Sequence, residues 1–161
     1  MSDKGDRVYT FAELLADHPF VEGMDEEMMT RIAGCVDSVV KLDPDEVIFR
    51  AGGTANRLYL IQHGDVSLEV HSPGIGARIV QTLHGGEVLG WSWMFAPYRW
   101  AFDARALTPT EALVLDGKRL RECISQDSEL GLYVVSRLAR LIVDRLQATR
   151  LQLLDLYASR D

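Results

Sequence analysis

The chain has 161 residues, 47% of them apolar, enough for one domain with a real core and an appended element but not for two domains. A formal net charge of −7 opposes contact with a phosphate backbone, since no block of basic residues offsets it. Cys35 and Cys123 fit no CxxC or Cys/His spacing, which argues against a zinc site or redox pair.

The opening MSDKGDRVYTFAELL has no signal-peptide core, and no segment reaches 18 consecutive apolar residues, so a cytoplasmic chain away from membranes is expected. Thr10 before Phe11-Ala-Glu13-Leu-Leu15 predicts a helix start with glutamate at the capping-box position, closed by His18-Pro19. Asp25 to Ile32 predicts a second short helix, acidic in its first turn as the helix dipole prefers. From Ser38 the period changes to SVVKL, EVIFR, RLYLI, VSLEV, RIVQTL, EVL, FDARAL and EALVLD. Between several of them stand the turn formers Asp43-Pro44-Asp45, Ala51-Gly52-Gly53, His63-Gly64-Asp65 and Ser72-Pro73-Gly74. Eight strands at that spacing predict a two-sheet jelly roll rather than βαβ units.

A helical period returns at Gly117, first in a short segment through Cys123, then in a long one from near Asp127. The long segment carries a stripe of Val135, Leu138, Ile142, Leu146, Thr149, Leu153 and Leu156 in steps of three and four. Its roughly 30 residues make about 45 Å of helix. A roll of this size cannot cover that length, so part of the stripe is expected to pack on a second copy; the alternative is a helix folded back on its own domain. Arg137, Arg140, Arg145 and Arg150, with Asp144 and Asp155 among them, read as a solvated face.

The stretch Glu46-Val-Ile-Phe-Arg-Ala-Gly52-Gly-Thr-Ala-Asn56-Arg-Leu58-Tyr59-Leu-Ile61-Gln-His-Gly64-Asp-Val66 resembles the first half of a cyclic-nucleotide-binding domain of the catabolite-activator type. His18-Pro19-Phe20 is similar to that family's opening segment, and Gly86-Glu87-Val88-Leu89-Gly90 to the start of its phosphate-binding cassette. Arg145-Leu-Gln-Ala-Thr149 is similar to its dimerising helix, so the resemblance covers about residues 10 to 157. It implies an α+β chain built as a double-stranded β-helix, the jelly-roll form of a β-roll. Within a single domain over 1–161, helices would occupy about 10–37, the roll 38–116 with its cassette at 85–105, and the C-terminal helices 117–157. It also implies a cyclic nucleotide as the ligand class and signalling through the long helix of a homodimer, from which Thr149, followed by Arg150, would reach the ligand. The remaining partner is expected to be a protein, because the twelve residues after Thr149 are too few for a helix-turn-helix.

Two departures alter that expectation. The resemblance implies an acidic residue after the second cassette glycine, for the ribose, and an arginine followed by serine or threonine for the cyclic phosphate. Here Trp91 and Ser92 follow Gly90, while Trp100 and Ala101 stand at the phosphate positions, with Arg99 one place early. Strand parity aims Arg99 at the opposite face unless a bulge intervenes. Losing the bidentate phosphate contact speaks against ordinary cyclic-AMP binding.

Trp91, Trp93, Phe95, Tyr98, Trp100 and Phe102 are crowded into twelve residues, and they include all three tryptophans. They could stack on a flat ligand, with Arg99 or Arg105 as counter-charge, or fill the pocket and meet a partner instead. A cupin-like metal enzyme would draw on His63, His71, His84 and Glu87, but there is no His-x-His pair and two of these histidines adjoin turn glycines. A regulatory module without enzymatic activity is the function expected.

Overall fold

The computed structural model describes residues 10–158, so the leader-peptide reading of residues 1–9 lies outside the described residues. The described chain forms two compact units that meet between Glu122 and Cys123. The first opens with α1 (Phe11–Ala16) and α2 (Glu26–Ala33). Their caps follow the sequence: Thr10 Oγ1 accepts from the Glu13 N–H at 3.2 Å, and Asp25 Oδ1 from the Met28 N–H at 2.8 Å.

Eight strands follow, β1 (Val36–Leu42), β2 (Val47–Phe49), β3 (Arg57–His63), β4 (Asp65–Ser72), β5 (Gly76–His84), β6 (Val88–Leu89), β7 (Asp103–Ala106) and β8 (Thr110–Asp116). They pair antiparallel in two four-stranded sheets, ordered β1-β8-β3-β6 and β2-β7-β4-β5. This is the expected double-stranded β-roll. The roll interior takes alternate residues from both sheets: Tyr59, Ile61, Ala112 and Val114 from one, Val66, Leu68, Leu83 and Ala104 from the other. Leu58, Leu60, Leu113 and Leu115 lie on the other face of β3 and β8 and are equally buried, because this sheet is covered on both sides and α1 lies against β8. Continuous apolar runs such as LYLI and ALVL are the sequence mark of that double cover.

The second sheet keeps a polar outer face. Arg105 grips both carboxylate oxygens of Glu69, at 3.0 and 2.8 Å, and reaches Asp45 at 2.8 Å. That guanidinium holds the Glu69 carboxyl below the usual carboxylate range, first through hydrogen bonds. Arg105 is therefore committed to this face and does not serve the aromatic cluster as counter-charge.

After β8 come α3 (Gly117–Gln126) and α4 (Ser128–Ala158), the latter 31 residues long. In the C-terminal unit Asp127 caps α4, its carboxylate accepting from the Leu130 N–H at 3.1 Å. The predicted stripe is not one uniform face: Leu138 is buried, whereas Val135, Leu146, Leu153 and Leu156 are exposed, together with Leu132, Val143, Leu151, Leu154 and Tyr157 outside it. The basic residues differ from expectation as well. Arg140 and Arg150 are exposed, but Arg145 is buried, on the side of the helix that also carries Leu138 and Leu141.

Candidate functional site

The cassette begins where β5 gives way to β6. Val88 and Leu89 pair with Leu60 and Tyr59 of β3. Around them the Gly86 N–H donates to Ile61 O at 2.8 Å and the Ile61 N–H to Glu87 O at 3.0 Å. Glu87 turns its carboxylate back onto the His84 N–H, at 2.5 Å, and so acts as a turn cap. Beyond Gly90 and Trp91, Ser92–Met94 make a single turn of helix, of 3-10 form. The Met94 and Phe95 N–H groups close that turn on Trp91 O and Ser92 O, so these two donors are spent internally. The chain continues through a cis Ala96–Pro97 peptide, and Tyr98 has a positive φ of 55°. Arg99 bridges to Thr54, and Trp100 exchanges backbone bonds with Gly52 and Gly53 at 2.8 and 3.0 Å.

Side-chain parity then decides what fills the pocket. Trp100 points inward, is 6% exposed, and stacks on Phe49 with ring centroids 3.8 Å apart and planes 10° from parallel. The far edge of its indole lies over Gly90, where a β-carbon would come within 2.8 Å of Trp100 Cζ3. With φ at +93°, Gly90 meets both demands, close approach and left-handed backbone, as no other residue does. Arg99, one residue earlier, points away. It is exposed, and its guanidinium donates to Gly52 O at 3.1 Å. The structure thus decides between the two options for Arg99 in favour of strand parity. Ala101 is exposed beside it.

The other rings divide between packing and rim. Trp93 is fully buried, its Nε1–H donating to Gly90 O at 3.2 Å. Trp91 is partly buried, edge-on to Phe102 at 6.1 Å, and Phe95 is half exposed. Thr149 and Arg150 belong to the C-terminal unit, where both are exposed and Thr149 Oγ1 donates to Arg145 O at 2.9 Å.

The reading missed two contributors. Phe49 lies 51 positions from Trp100, a pairing across the roll that no local pattern could signal. His18, read as a helix stop and as part of the opening segment but not as a cassette contact, is buried. Its Nδ1 accepts from the Phe20 N–H at 3.1 Å, so the proton sits on Nε2, which donates to Ile61 O at 3.2 Å. That carbonyl also receives the Gly86 N–H, so His18 braces the cassette's base. Burial pushes its imidazole below the ordinary 6.5.

A lowered pKa means that the unfolded chain takes up the proton first, so His18 contributes stability that is intact above about pH 6.5 and lost as pH falls toward its folded value. The exposed His84, raised by its hydrogen bond to Asp65, acts in the opposite sense, contributing below pH 6.5 and fading as pH rises through its folded value. His18 is buried whereas the His84 pair is exposed and screened by solvent, so the His18 effect should dominate: the thermal midpoint should drop between pH 7 and pH 5, and His18→Asn, which cannot titrate, should flatten the drop. An unchanged slope in that variant would assign the acid sensitivity elsewhere.

The metal alternative finds no support in the geometry: among the described residues no three His, Cys, Asp or Glu side chains are grouped to hold an ion. His84 instead pairs with Asp65 at 2.6 Å.

Comparison with known proteins agrees with this architecture. Residues 39–127, more than half of the chain, match the family model for the cyclic nucleotide-binding domain. The chain belongs to that family. Among solved structures, a cyclic nucleotide-binding protein of Geobacter metallireducens superposes with a TM-score of 0.74 at 25% identity, covering 86% of this chain and 99% of that one. The catabolite activator protein of Thermus thermophilus gives 0.67 at 26% identity, covering 87% of this chain and 63% of that one. A Rhodopseudomonas palustris protein named as a potassium channel is 31% identical over 91 residues, 56% of this chain. The chain spans 22% of that curated relative's length. No helix among the described residues is long and apolar enough to cross a membrane.

Proposed function

We propose that this cyclic nucleotide-binding domain is a regulatory module whose cassette is closed by its own aromatic side chains, and that it signals as a homodimer to a partner protein. The observation that carries this reading is Trp100, stacked on Phe49 and resting on Gly90 at the position where the family resemblance places a phosphate-binding arginine. A cyclic phosphate needs a charge-assisted donor in a partly dry pocket. The two arginines considered as counter-charge are engaged elsewhere, Arg99 with Gly52 O and Arg105 with Glu69 and Asp45. Cassette residues Gly86 to Gly90, with Trp91, Ser92 and Ala101, then serve as a regulatory loop, and Thr149 and Arg150 as part of the helix that reads it. The homodimer rests on the exposed leucines of α4.

Calorimetry of the purified chain with millimolar cyclic AMP and cyclic GMP tests the closed cassette, and little or no heat is expected. A micromolar dissociation constant for either nucleotide would show that Trp100 swings out and that the pocket is open in solution.

A further inference from the structure

Two loops share the cassette end of the roll. One runs from Arg50 to Arg57 between β2 and β3, the other from Trp91 to Phe102 between β6 and β7. Backbone bonds tie them together: the Gly52 N–H donates to Trp100 O at 2.8 Å, the Trp100 N–H to Gly53 O at 3.0 Å, and the Ala55 N–H to Tyr98 O at 2.7 Å. Their outer surface is therefore one fixed platform, of the kind on which a rigid scaffold carries a binding function.

The platform departs in composition from the rest of the chain. Its two loops hold no aspartate, glutamate or lysine, in a chain with 24 acidic residues. Their charges are Arg50, Arg57 and Arg99, all exposed. Arg50 has Asp103 at 3.7 Å, but its side chain stays 71% exposed, and that carboxylate already accepts from the Ala51 N–H at 2.7 Å. Arg99 donates to Gly52 O and Arg57 to the Tyr59 hydroxyl; among the described residues neither forms an ion pair. Rings stand beside these cations. Phe95 is half exposed, and Trp91 and Phe102 are partly so. A β-carbon on Gly90 would lie 3.5 Å from Arg57 O, which sets Arg57 next to Trp91.

Arginine and aromatic residues gather at the centres of protein interfaces, while lysine, glutamate and aspartate are depleted there. We propose that this platform docks the partner protein, and that the partner presents an acidic segment carrying an aromatic or aliphatic anchor. The anchor lies on Phe95 and Trp91, and the carboxylates meet guanidinium groups whose planar forks suit two-point contact. A net charge of −7 does not prevent this. At physiological salt a charge is screened beyond about 8 Å, so the arginines nearest the segment decide. The proposal deepens the regulatory reading above and rests on it, since it names the chemistry by which a partner is recognised.

A fluorescein-labelled copolymer of glutamate and tyrosine is the probe, its anisotropy followed as the full chain is titrated in. Binding is expected at low salt, weakening about tenfold between about 0.02 and 0.2 M sodium chloride. Arg57→Ala combined with Arg99→Ala should weaken it about tenfold, and Phe95→Ala should weaken it too. Arg78→Ala, an exposed site in the edge strand β5, should leave it unchanged. Circular dichroism checks that each variant is folded. Should Arg99→Ala not fold for want of its bond to Gly52 O, Arg50→Ala with Arg57→Ala decides by the same criteria. The docking platform is overturned if the copolymer does not bind, if the paired arginine variant binds it undiminished, or if Arg78→Ala weakens it as much. An oligothymidylate of equal charge that binds as tightly also overturns it, because the surface would then answer to any polyanion. The titration contains no nucleotide and a monomer suffices for it. Heat from a cyclic nucleotide, or the absence of a dimer, therefore counts against the proposed function and leaves this result standing.

Discussion

Trp100→Ala should destabilise the chain by about 3 to 5 kcal/mol, the range for removing a large ring from a packed interior. The residue is 6% exposed and belongs to the apolar cluster shared by both sheets, so its loss opens a void between Phe49, Gly90 and the roll interior. The stack on Phe49 adds about 0.5 to 1.5 kcal/mol beyond the buried area. Urea denaturation followed by circular dichroism measures the effect. Trp91→Ala supplies the contrast: that ring is only partly buried and meets Phe102 edge-on, so its removal should cost about 1 kcal/mol. Tryptophan emission should be blue-shifted, with Trp93 and Trp100 both sealed from water. A Trp100→Ala cost as small as that of Trp91→Ala would mean that the indole does not fill the pocket in solution.

The second large effect is expected on α4. Leu146 is 68% exposed and Leu153 51%, two turns apart on one side of the helix. If a second copy covers them, Leu146→Glu with Leu153→Glu places two carboxylates in an apolar seam. A cost of about 4 kcal/mol or more follows, about a thousandfold in the dimer dissociation constant. Sedimentation should find a dimer for the unaltered chain and a soluble monomer for the variant, with unchanged circular dichroism in the roll. A monomer already in the unaltered chain would remove the homodimer from the proposed function.

Much of the fold was legible because each strand run is bounded by its own turn chemistry. VSLEV and RIVQTL, for instance, flank Ser72-Pro73-Gly74, and they became β4 and β5 with that turn between them. The cassette was legible in outline, since Gly86 and Gly90 frame a two-residue strand, with a single helical turn just beyond. The inward direction of Trp100 and the outward one of Arg99 followed from strand parity. What the rings touch was not legible. The Phe49 stack and the His18 bond to Ile61 O join residues more than 40 positions apart, and such pairings are set by how the sheets close. The helix stripe was legible as a pattern but not in its burial: periodicity finds apolar positions, but cannot distinguish Leu138, which is buried, from Leu146, which is not.

The seat of Trp100 on Gly90 bears on how this sequence can evolve. Installing an arginine at position 100 would place a cation against Phe49 in a nearly sealed space, with Trp91 rather than a carboxylate beside Gly90, and an unpaired buried charge is costly enough to threaten folding. Installing an acidic residue at 91 first would bring no benefit, because the indole would still block the ligand it serves. Each substitution needs the other, and both need Phe49 to yield. The path from this pocket to an anion-binding one therefore runs through intermediates that are less stable or no more capable. If the cassette is closed as proposed, the stacked pair would act as a ratchet against single substitutions toward an anion site.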